Sequence, residues 1–279
     1  MNRTITNELI NRFSAFLIEN ERSRATINKY YHDLDVFKHF AMGREIDKNL
    51  VIAYKENLSR RYEITSANSM LAALNALFRY LEWYDCIVKQ FKVQKRIFCE
   101  EERELKEGEY KRLINTAERR KNDRISMVIQ TICGTGIRVS ELSYFTVEGV
   151  KTGTVIITCK GKTRKVMIVK KLKEKLLAYA KRHRIATGQI FVTKNGKALD
   201  RSNIWREMKK LCKSAGVCAK KVFPHNLRHL FARAFYKIEK DIAKLADILG
   251  HSSINTTRIY IVSSGEEHRR QLEQMKLID

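Results

Sequence analysis

The chain has 279 residues, and its 55 lysine and arginine residues against 31 aspartate and glutamate residues give a formal net charge of +24 at pH 7. Hydrophobic residues make up 44% of the sequence, which supports folded cores and excludes a globally disordered chain. No apolar run reaches the roughly 18 residues of a membrane span. The positive charge is spread through sequence with helical periodicity, so the expected partner is a long polyanion, first of all nucleic acid, and not a membrane.

In the first part of the chain, apolar residues recur at the spacing of one helix face. Glycine and proline are nearly absent there, and a small helical domain over residues 1–87 is expected. Its helices are predicted over 5–17, after the cap Ser23, around 50–58, and after Thr65 or Ser66.

The periodicity fades between residues 88 and 104, where a basic run is followed by an acidic one. We interpret this segment as an interdomain linker, with a second domain over residues 105–279. A frayed helix is the alternative for the linker.

The second domain mixes helical and strand patterns. A β-branched run at 153–159 predicts a strand, and 165–169 is its expected partner across a turn at Gly161. A short strand is predicted at 190–193. The fold class is therefore mainly α with a small antiparallel β-sheet (α+β). The predicted helices are 107–116, 125–133, 138–144, 171–184, 201–214, the stretch from Pro224, and a terminal helix at 265–276.

Six cysteines are scattered without a Cys-x-x-Cys pair, which predicts reduced thiols and neither a disulfide framework nor a cysteine zinc site. The sequence also lacks a Gly-x-x-x-x-Gly-Lys phosphate-binding loop, so no nucleotide-driven motor is predicted. We expect no cofactor.

Polar residues suited to chemistry gather between Pro224 and Tyr260. His225 and Arg228 are three apart and share a helix face, and His251 follows a helix break at Gly250. An arginine binds oxyanions in a fork, histidines donate hydrogen bonds, and a phenol is a nucleophile, so the group suggests chemistry on a phosphate. A tyrosine hydroxyl is almost fully protonated at pH 7, so such a site must be cationic or supply a base.

Two basic residues earlier in the chain fit the same chemistry. Arg138 follows Gly136 in the first turn of a predicted helix, where free amides favour a phosphate; the alternative is a surface ion pair with Glu141. Lys160 ends a strand beside a tight turn and could act as a general acid. The alternative there is a solvated basic turn.

The histidines and the tyrosine also have structural interpretations. His225 and His229 are four apart and could hold zinc, but only His251 is available as a third ligand, so we expect no metal. A hydrogen-bonded histidine pair at a helix start is favoured over zinc. Tyr260 taken alone is most simply a core residue.

Taken together and in order, these motifs resemble the tyrosine recombinase (phage integrase) family. They are Gly-Ile-Arg138-Val-Ser-Glu141-Leu, a Lys-Gly hairpin, His225-x-x-Arg228-His229, Leu-Gly-His251 and Tyr260. The chain is similar to the short, two-domain members found in chromosome-dimer resolution and in bacterial mobile elements. The resemblance is specific in the catalytic half and looser in the N-terminal half, where the family has a helical core-binding domain.

The resemblance implies a role for each matched residue. The chain departs from the family's pattern in lacking the proline often found at the end of the hairpin, which leaves open whether Lys160 or Lys162 is the catalytic lysine. The implied roles are scissile-phosphate binding by Arg138 and Arg228, protonation of the leaving 5′ oxygen by Lys160, assistance to the nucleophile by His225, donation to a phosphate oxygen by His251, nucleophilic attack by Tyr260, support of the site by Glu141 and His229, and DNA binding by Lys162, Arg164 and Lys165.

The resemblance implies a site-specific recombinase that integrates, excises or resolves DNA through a 3′-phosphotyrosine intermediate. Its two domains would hold duplex DNA with paired inverted-repeat sites, as a monomer in solution and a homotetramer on DNA, in the bacterial cytoplasm with the nucleoid. Two alternatives remain: a type IB topoisomerase, and a non-catalytic DNA-binding regulator on the same fold.

Overall fold

The structure is a computed structural model of the whole chain. The residues that it describes are 3–93, 104–159, 161–193, 195–260 and 273–275, without the side chains of Cys159 and Lys162. Within these ranges, no helix is both long and apolar enough to cross a membrane.

The chain divides into two compact units, residues 1–95 and 96–279. The predicted linker, 88–104, spans this division. Its first residues pack on the first unit, because the amide side chain of Asn75 both donates to and accepts from the backbone of Val88. Asn68 binds the backbone of Phe91 in the same way.

The first unit is built from helices around an aromatic core. Phe13, Phe37, Tyr54 and Phe78 are fully buried at its centre. The side chain of Ser23 caps the second helix, as the sequence suggests, while the fourth helix begins at Ile64, slightly earlier than predicted. The helices are α1 (Asn7–Glu19), α2 (Arg24–Ala41), α3 (Lys48–Arg61), α4 (Ile64–Tyr80) and a 3-10 turn at Tyr84–Cys86.

The second unit is mostly helical and contains a small hairpin. Helix α6 packs against α10, and this contact brings together the chain segments that carry the predicted site. The elements are α5 (Glu107–Arg119), α6 (Asp123–Thr135), a 3-10 helix (Val139–Tyr144), α7 (Val147–Thr152), β1 (Thr154–Cys159), β2 (Lys162–Met167), α8 (Lys170–Arg182), α9 (Arg201–Ala215), a 3-10 turn (Ala219–Lys221), α10 (Pro224–Ile238), α11 (Ile242–Leu249) and α12 (Ile254–Arg258).

Strands β1 and β2 form an antiparallel hairpin with Ile157 opposite Arg164. Side chains alternate across it, so Val155, Ile157 and Val166 are buried, whereas Ile156 is exposed. Strand β2 begins three residues earlier than the predicted 165–169, because pairing continues up to the turn.

The predicted strand at 190–193 is wrong. This segment forms only an isolated bridge, Val192 with Ala198, and the sheet of the described chain has two strands. The predicted terminal helix, 265–276, lies outside the described residues except for 273–275.

Candidate active site

The C-terminal ends of two helices supply backbone carbonyl groups to the site. Helix α6 ends at Gly136 and helix α11 ends at Gly250, each with the glycine in the left-handed conformation (φ +66° in both). A Cβ on Gly136 would lie 2.4 Å from the ring of Phe231. Glycine is therefore required there by both conformation and space, and the turns leave carbonyl groups pointing into the site.

Arg228, on α10, is bound by those carbonyl groups. It donates through Nη1 to the carbonyl oxygen of Gly136 (2.6 Å) and through Nη2 to that of Leu249 (2.7 Å). Its side chain is 0% exposed. Burial, together with the charge of Arg138, lowers the pKa of Arg228 to about 10, so it remains a cation at neutral pH. Carbonyl groups at helix C-termini stabilise a buried cation because they carry partial negative charge.

Arg138 comes from the segment between α6 and the 3-10 helix. It precedes the 3-10 helix Val139–Tyr144 as its cap residue, rather than lying in the first turn of an α-helix as predicted. Its Nη1 donates to Oε1 of Glu141 (3.0 Å) and its backbone amide to Oε2 (2.7 Å), while Nη2 lies 3.5 Å from the carbonyl oxygen of Gly250. The side chain is 39% exposed, which leaves it accessible to an anion.

The predicted DNA-binding residues of the hairpin lie in different environments. Arg164 points inward from β2, is 15% exposed, and donates both Nη groups to the carboxylate of Glu141. Lys165 points outward and is exposed, as expected for a DNA contact. Lys160 and the side chain of Lys162 lie outside the described residues. The alternation of the strand places Arg164 in the interior, in contrast to the prediction of a DNA contact.

His251 follows Gly250 and contacts Arg228. Its Nε2 lies 2.8 Å from Nη2 of Arg228, and its Nδ1 lies 2.8 Å from Oγ1 of Thr257. An arginine only donates, so Nε2 accepts and the proton lies on Nδ1, which donates to the hydroxyl of Thr257. Burial, with the charges of Arg228 and Arg138, lowers the pKa of His251 to about 4. Donation from Nε2 to a phosphate would therefore require this nitrogen to gain a proton and to leave Arg228.

Tyr260 packs into the same group. Its side chain is 5% exposed, and its ring centroid lies 4.2 Å from that of His229 and 5.2 Å from that of His251. Its hydroxyl lies 3.2 Å from Nε2 of His225. Burial, with the charge of Arg228 next, lowers the pKa of His225, so this imidazole is neutral at pH 7 and can accept the phenolic proton.

A cleft of about 620 Å³ opens beside this group. Three of its lining residues, which the sequence analysis missed, lie on the first two turns of α9: Arg201, Trp205 and Arg206. Trp205 is 46% exposed despite its size, and the ammonium group of Lys209 lies 5.2 Å from its ring centroid. Two arginines and an exposed tryptophan at the start of a basic helix are a signal that could have identified them. The cleft also includes Arg138, His225 and Arg228.

The sequence analysis also missed Thr257, which is fully buried against His251 and carries no catalytic signal of its own. Within the described ranges, no group of three or more histidine, cysteine, aspartate or glutamate side chains is placed to hold a metal ion. The ring centroids of His225 and His229 lie 5.0 Å apart.

The buried histidines predict a dependence of stability on pH. Burial, with the charge of His225 next, lowers the pKa of His229 from its ordinary 6.5 to about 3, so folding holds this ring neutral. The unfolded chain binds more protons below pH 6.5, and the free energy of unfolding should therefore fall by a few kcal/mol between about pH 6.5 and pH 4. Denaturant titrations at pH 7.5 and 4.5 measure this loss.

His229→Asn isolates the contribution, because acidic groups such as Glu141 are common to both proteins. The variant should lose less stability than the wild type over the same pH interval. The exposed His32, replaced by asparagine, is the matched control and should behave as the wild type. Equal losses for the wild type and His229→Asn would contradict the prediction.

Comparison with known proteins shows which protein family this chain matches. Residues 103–267, more than half of the chain, match the model described as the phage integrase family, and residues 10–84 match that of the phage integrase N-terminal SAM-like domain. The tyrosine recombinase XerA of Pyrococcus furiosus is 28% identical over an alignment that covers 99% of this chain and 97% of the relative.

Two solved structures are similar in fold. The XerH site-specific recombinase, bound to its difH substrate in a pre-cleavage complex, has a TM-score of 0.69 at 20% identity and covers 96% of this chain and 89% of its own. A lambda integrase tetramer bound to a Holliday junction has a TM-score of 0.75 at 17% identity, covering 92% of this chain and 77% of its own.

Proposed function

The chain belongs to the phage integrase family and is a site-specific DNA recombinase, and we propose that it cuts and rejoins duplex DNA through a covalent bond between Tyr260 and a 3′ phosphate. One observation carries the assignment of the nucleophile: the hydroxyl of Tyr260 lies 3.2 Å from Nε2 of His225, beside the buried cation Arg228. A nucleophile within hydrogen-bond reach of a neutral base is the arrangement that covalent catalysis requires.

In the proposed cleavage step, Arg138 binds a non-bridging oxygen of the scissile phosphate, and the buried cation Arg228 stabilises the charge on the phosphate through its electrostatic field. The oxygen of Tyr260 attacks phosphorus while its proton passes to Nε2 of His225. The 5′ oxygen leaves with its electron pair and takes a proton from the hairpin lysine, Lys160, which lies outside the described residues. Rejoining reverses these steps with a 5′ hydroxyl from the partner strand. The phosphotyrosine bond conserves the energy of the broken phosphodiester bond, so no nucleotide is consumed.

The cations act by stabilising the charge that develops on the phosphate. Arg138 is accessible, and Arg228 is fixed by two carbonyl groups before the substrate arrives. A positive charge fixed in this way needs no rearrangement at the moment of reaction. We assign to His251 the role of holding Arg228, with donation to phosphate once its Nε2 carries a proton.

The DNA would run along the cleft beside Tyr260. Arg201 and Arg206 line this cleft and are suited to backbone phosphates, and Trp205 offers a flat surface for a sugar or base. With a net charge of +24, phosphate contacts should supply much of the affinity. We place the protein in the bacterial cytoplasm, on nucleoid DNA.

A nicked suicide duplex tests the chemistry. When the short fragment that carries the new 5′ hydroxyl diffuses away after cleavage, protein should remain attached to the 3′ phosphate. The adduct should form undiminished in excess chelator, because arginine side chains stabilise the phosphate. Denaturing gels with either strand end labelled measure the attachment point. Adducts on 5′ ends, or activity that requires an added divalent metal, would contradict the proposal. Relaxation of supercoiled DNA lacking paired sites would favour a topoisomerase.

We further propose that the protein is a monomer alone and assembles as a tetramer on two paired inverted-repeat sites. The lambda integrase neighbour was solved as a tetramer on a Holliday junction, which supports this assembly. Around the segment 265–276, mostly outside the described residues, the stripe formed by Leu272, Met275 and Ile278 is too narrow to fold alone in water, so it must dock on other protein. We propose docking on a neighbouring protomer; docking on its own catalytic domain is the alternative.

Truncation after Ser264 tests this assembly. Binding to a single site should remain within about twofold of the full chain, because the described DNA-facing residues are retained, whereas recombination between paired sites should be lost. Gel-shift titration and a two-site recombination assay measure the two effects. A truncated protein that recombines at the full rate would show that the segment has no role in assembly.

A further inference from the structure

The carboxylate of Glu141 joins the hairpin to the arginine on the 3-10 helix. Its Oε1 accepts from Nη1 of Arg138 and from Nη1 of Arg164, both at 3.0 Å. Its Oε2 accepts from the backbone amide of Arg138 at 2.7 Å and from Nη2 of Arg164 at 2.8 Å. A carboxylate has about four acceptor positions, and all of them are therefore used by these two residues.

The charges of this group do not cancel. Burial alone would raise the pKa of Glu141, but hydrogen bonds from Arg164 and Arg138 outweigh it and lower the pKa below the ordinary value, so the group is a carboxylate. Two guanidinium groups then share one negative charge, and one positive charge remains. Without Arg164, the carboxylate would be matched by Arg138 alone, and the net charge of this group would fall to zero.

Arg164 also contacts the segment that carries His251. A Cβ on Gly250 would lie 2.7 Å from Nη1 and 2.8 Å from Cδ of Arg164, so the guanidinium group packs directly on this glycine. Gly250 precedes His251, and its carbonyl oxygen faces Nη2 of Arg138. The arginine of β2 therefore lies between the two chain segments that supply Arg138 and His251.

Its environment distinguishes Arg164 from the basic residues around it in the sequence. Its side chain is 15% exposed and both of its Nη groups are occupied, whereas the adjacent Lys165 is exposed. A side chain in this position cannot reach a DNA phosphate without breaking its bidentate pair with Glu141.

We propose that Arg164 is a positioning residue: by occupying Glu141, it fixes the β1–β2 hairpin against the active site and leaves the charge of Arg138 available for the scissile phosphate. This inference rests on the proposed function and adds to it a residue that touches neither substrate nor nucleophile. Lys160 and Lys162 belong to the same hairpin in the sequence, so the pair would also set where the turn between the strands meets the DNA.

The test measures cleavage and binding separately in the full-length protein. Arg164→Met should slow single-turnover cleavage of the nicked duplex at saturating protein by about 10- to 100-fold, since misplacement of about 1 Å has effects of this size. Affinity for the duplex should stay within about twofold, and the slope of log affinity against log salt should be unchanged. Lys165→Met should instead lower that slope by about one.

Three further variants separate positioning from folding. Arg164→Lys keeps the positive charge but cannot form the bidentate pair with Glu141. Its cleavage rate should therefore lie between those of the wild type and Arg164→Met. Adding Glu141→Gln to Arg164→Met removes the carboxylate that would otherwise neutralise Arg138, and should recover part of the lost rate, which loss of folding alone would not allow. Thr163→Ala, on the exposed face of the hairpin, is the matched control and should cleave as the wild type.

The outcomes are distinct. Wild-type cleavage by Arg164→Met would overturn the inference. A slope of log affinity against log salt that is reduced as in Lys165→Met would also overturn it, and would indicate that Arg164 contacts DNA. A double variant no faster than Arg164→Met would overturn the charge argument. Absence of any adduct in the wild type would instead contradict the proposed function.

Discussion

Replacing Tyr260 by phenylalanine is expected to remove the covalent protein–DNA adduct, a loss of more than about 1000-fold, while affinity for a single duplex site stays within about twofold. The phenolic oxygen forms the bond to phosphorus, so no other atom of this side chain can replace it. The measurement is the yield of adduct on a nicked suicide duplex, together with a binding titration on the uncleaved duplex.

The substitution is expected to be structurally mild. The ring of Tyr260 packs against those of His229 and His251, and phenylalanine preserves these contacts. The hydroxyl contributes the hydrogen bond to Nε2 of His225, which removal would leave without this partner. A net hydrogen bond contributes about 1 kcal/mol, so the fold should persist and the loss of adduct can be assigned to chemistry.

A matched control lies in the same small cluster. Tyr236, on α10, is partly buried beside Tyr260, and its ring faces the ammonium group of Lys240 instead of the histidines. Tyr236→Phe should form adduct at the wild-type rate. An undiminished adduct in Tyr260→Phe, or loss of the adduct in Tyr236→Phe, would contradict the assignment of Tyr260 as the nucleophile.

The helices were predictable because their signals are local. An apolar face at helical spacing and a cap such as Ser23 lie within a few residues of each other, and the structure has both. The predicted strand at 190–193 is wrong because strand pairing is not a local signal. A short apolar run shows that a segment is buried, but not whether a second strand lies beside it. The segment forms the isolated Val192–Ala198 bridge and a backbone hydrogen bond from Ile190 to Phe145, which do not extend into a strand.

The inward position of Arg164 was in principle readable from the sequence. In a strand, residues two apart share a face, and Arg164 alternates with Val166 and Ile168, both of which are buried. The basic run around it suggested a solvated turn instead. Periodicity of two was the stronger signal, because it also separates Arg164 from the exposed Lys165.

The environment of Arg228 could not be predicted in the same way. Its acceptors are the backbone carbonyl groups of Gly136 and Leu249, which are 92 and 21 residues away in the chain. Every residue has a carbonyl group, so these partners leave no trace in side-chain identity. Only the two helix ends, each marked by a glycine, indicated that backbone would approach closely there.

The two arginines proposed to stabilise the phosphate should therefore differ in what their removal does. Arg138→Ala is expected to slow cleavage by about 100- to 1000-fold, because it removes one donor to the developing charge. Its effect on stability should be within about 1 kcal/mol, since the side chain is 39% exposed and Glu141 keeps its pair with Arg164. Urea titration and single-turnover cleavage measure the two quantities.

Arg228→Ala is expected to lose cleavage and stability together. It leaves the carbonyl groups of Gly136 and Leu249 without their donors in the interior, at about 1–3 kcal/mol each, and opens a cavity where a fully buried side chain stood. Arg228→Lys should lie between the wild type and Arg228→Ala in stability, because one ammonium group cannot match both carbonyl positions of the planar fork. Equal destabilisation by Arg138→Ala and Arg228→Ala would contradict this division, in which one arginine is anchored by the fold and the other is left accessible to the substrate.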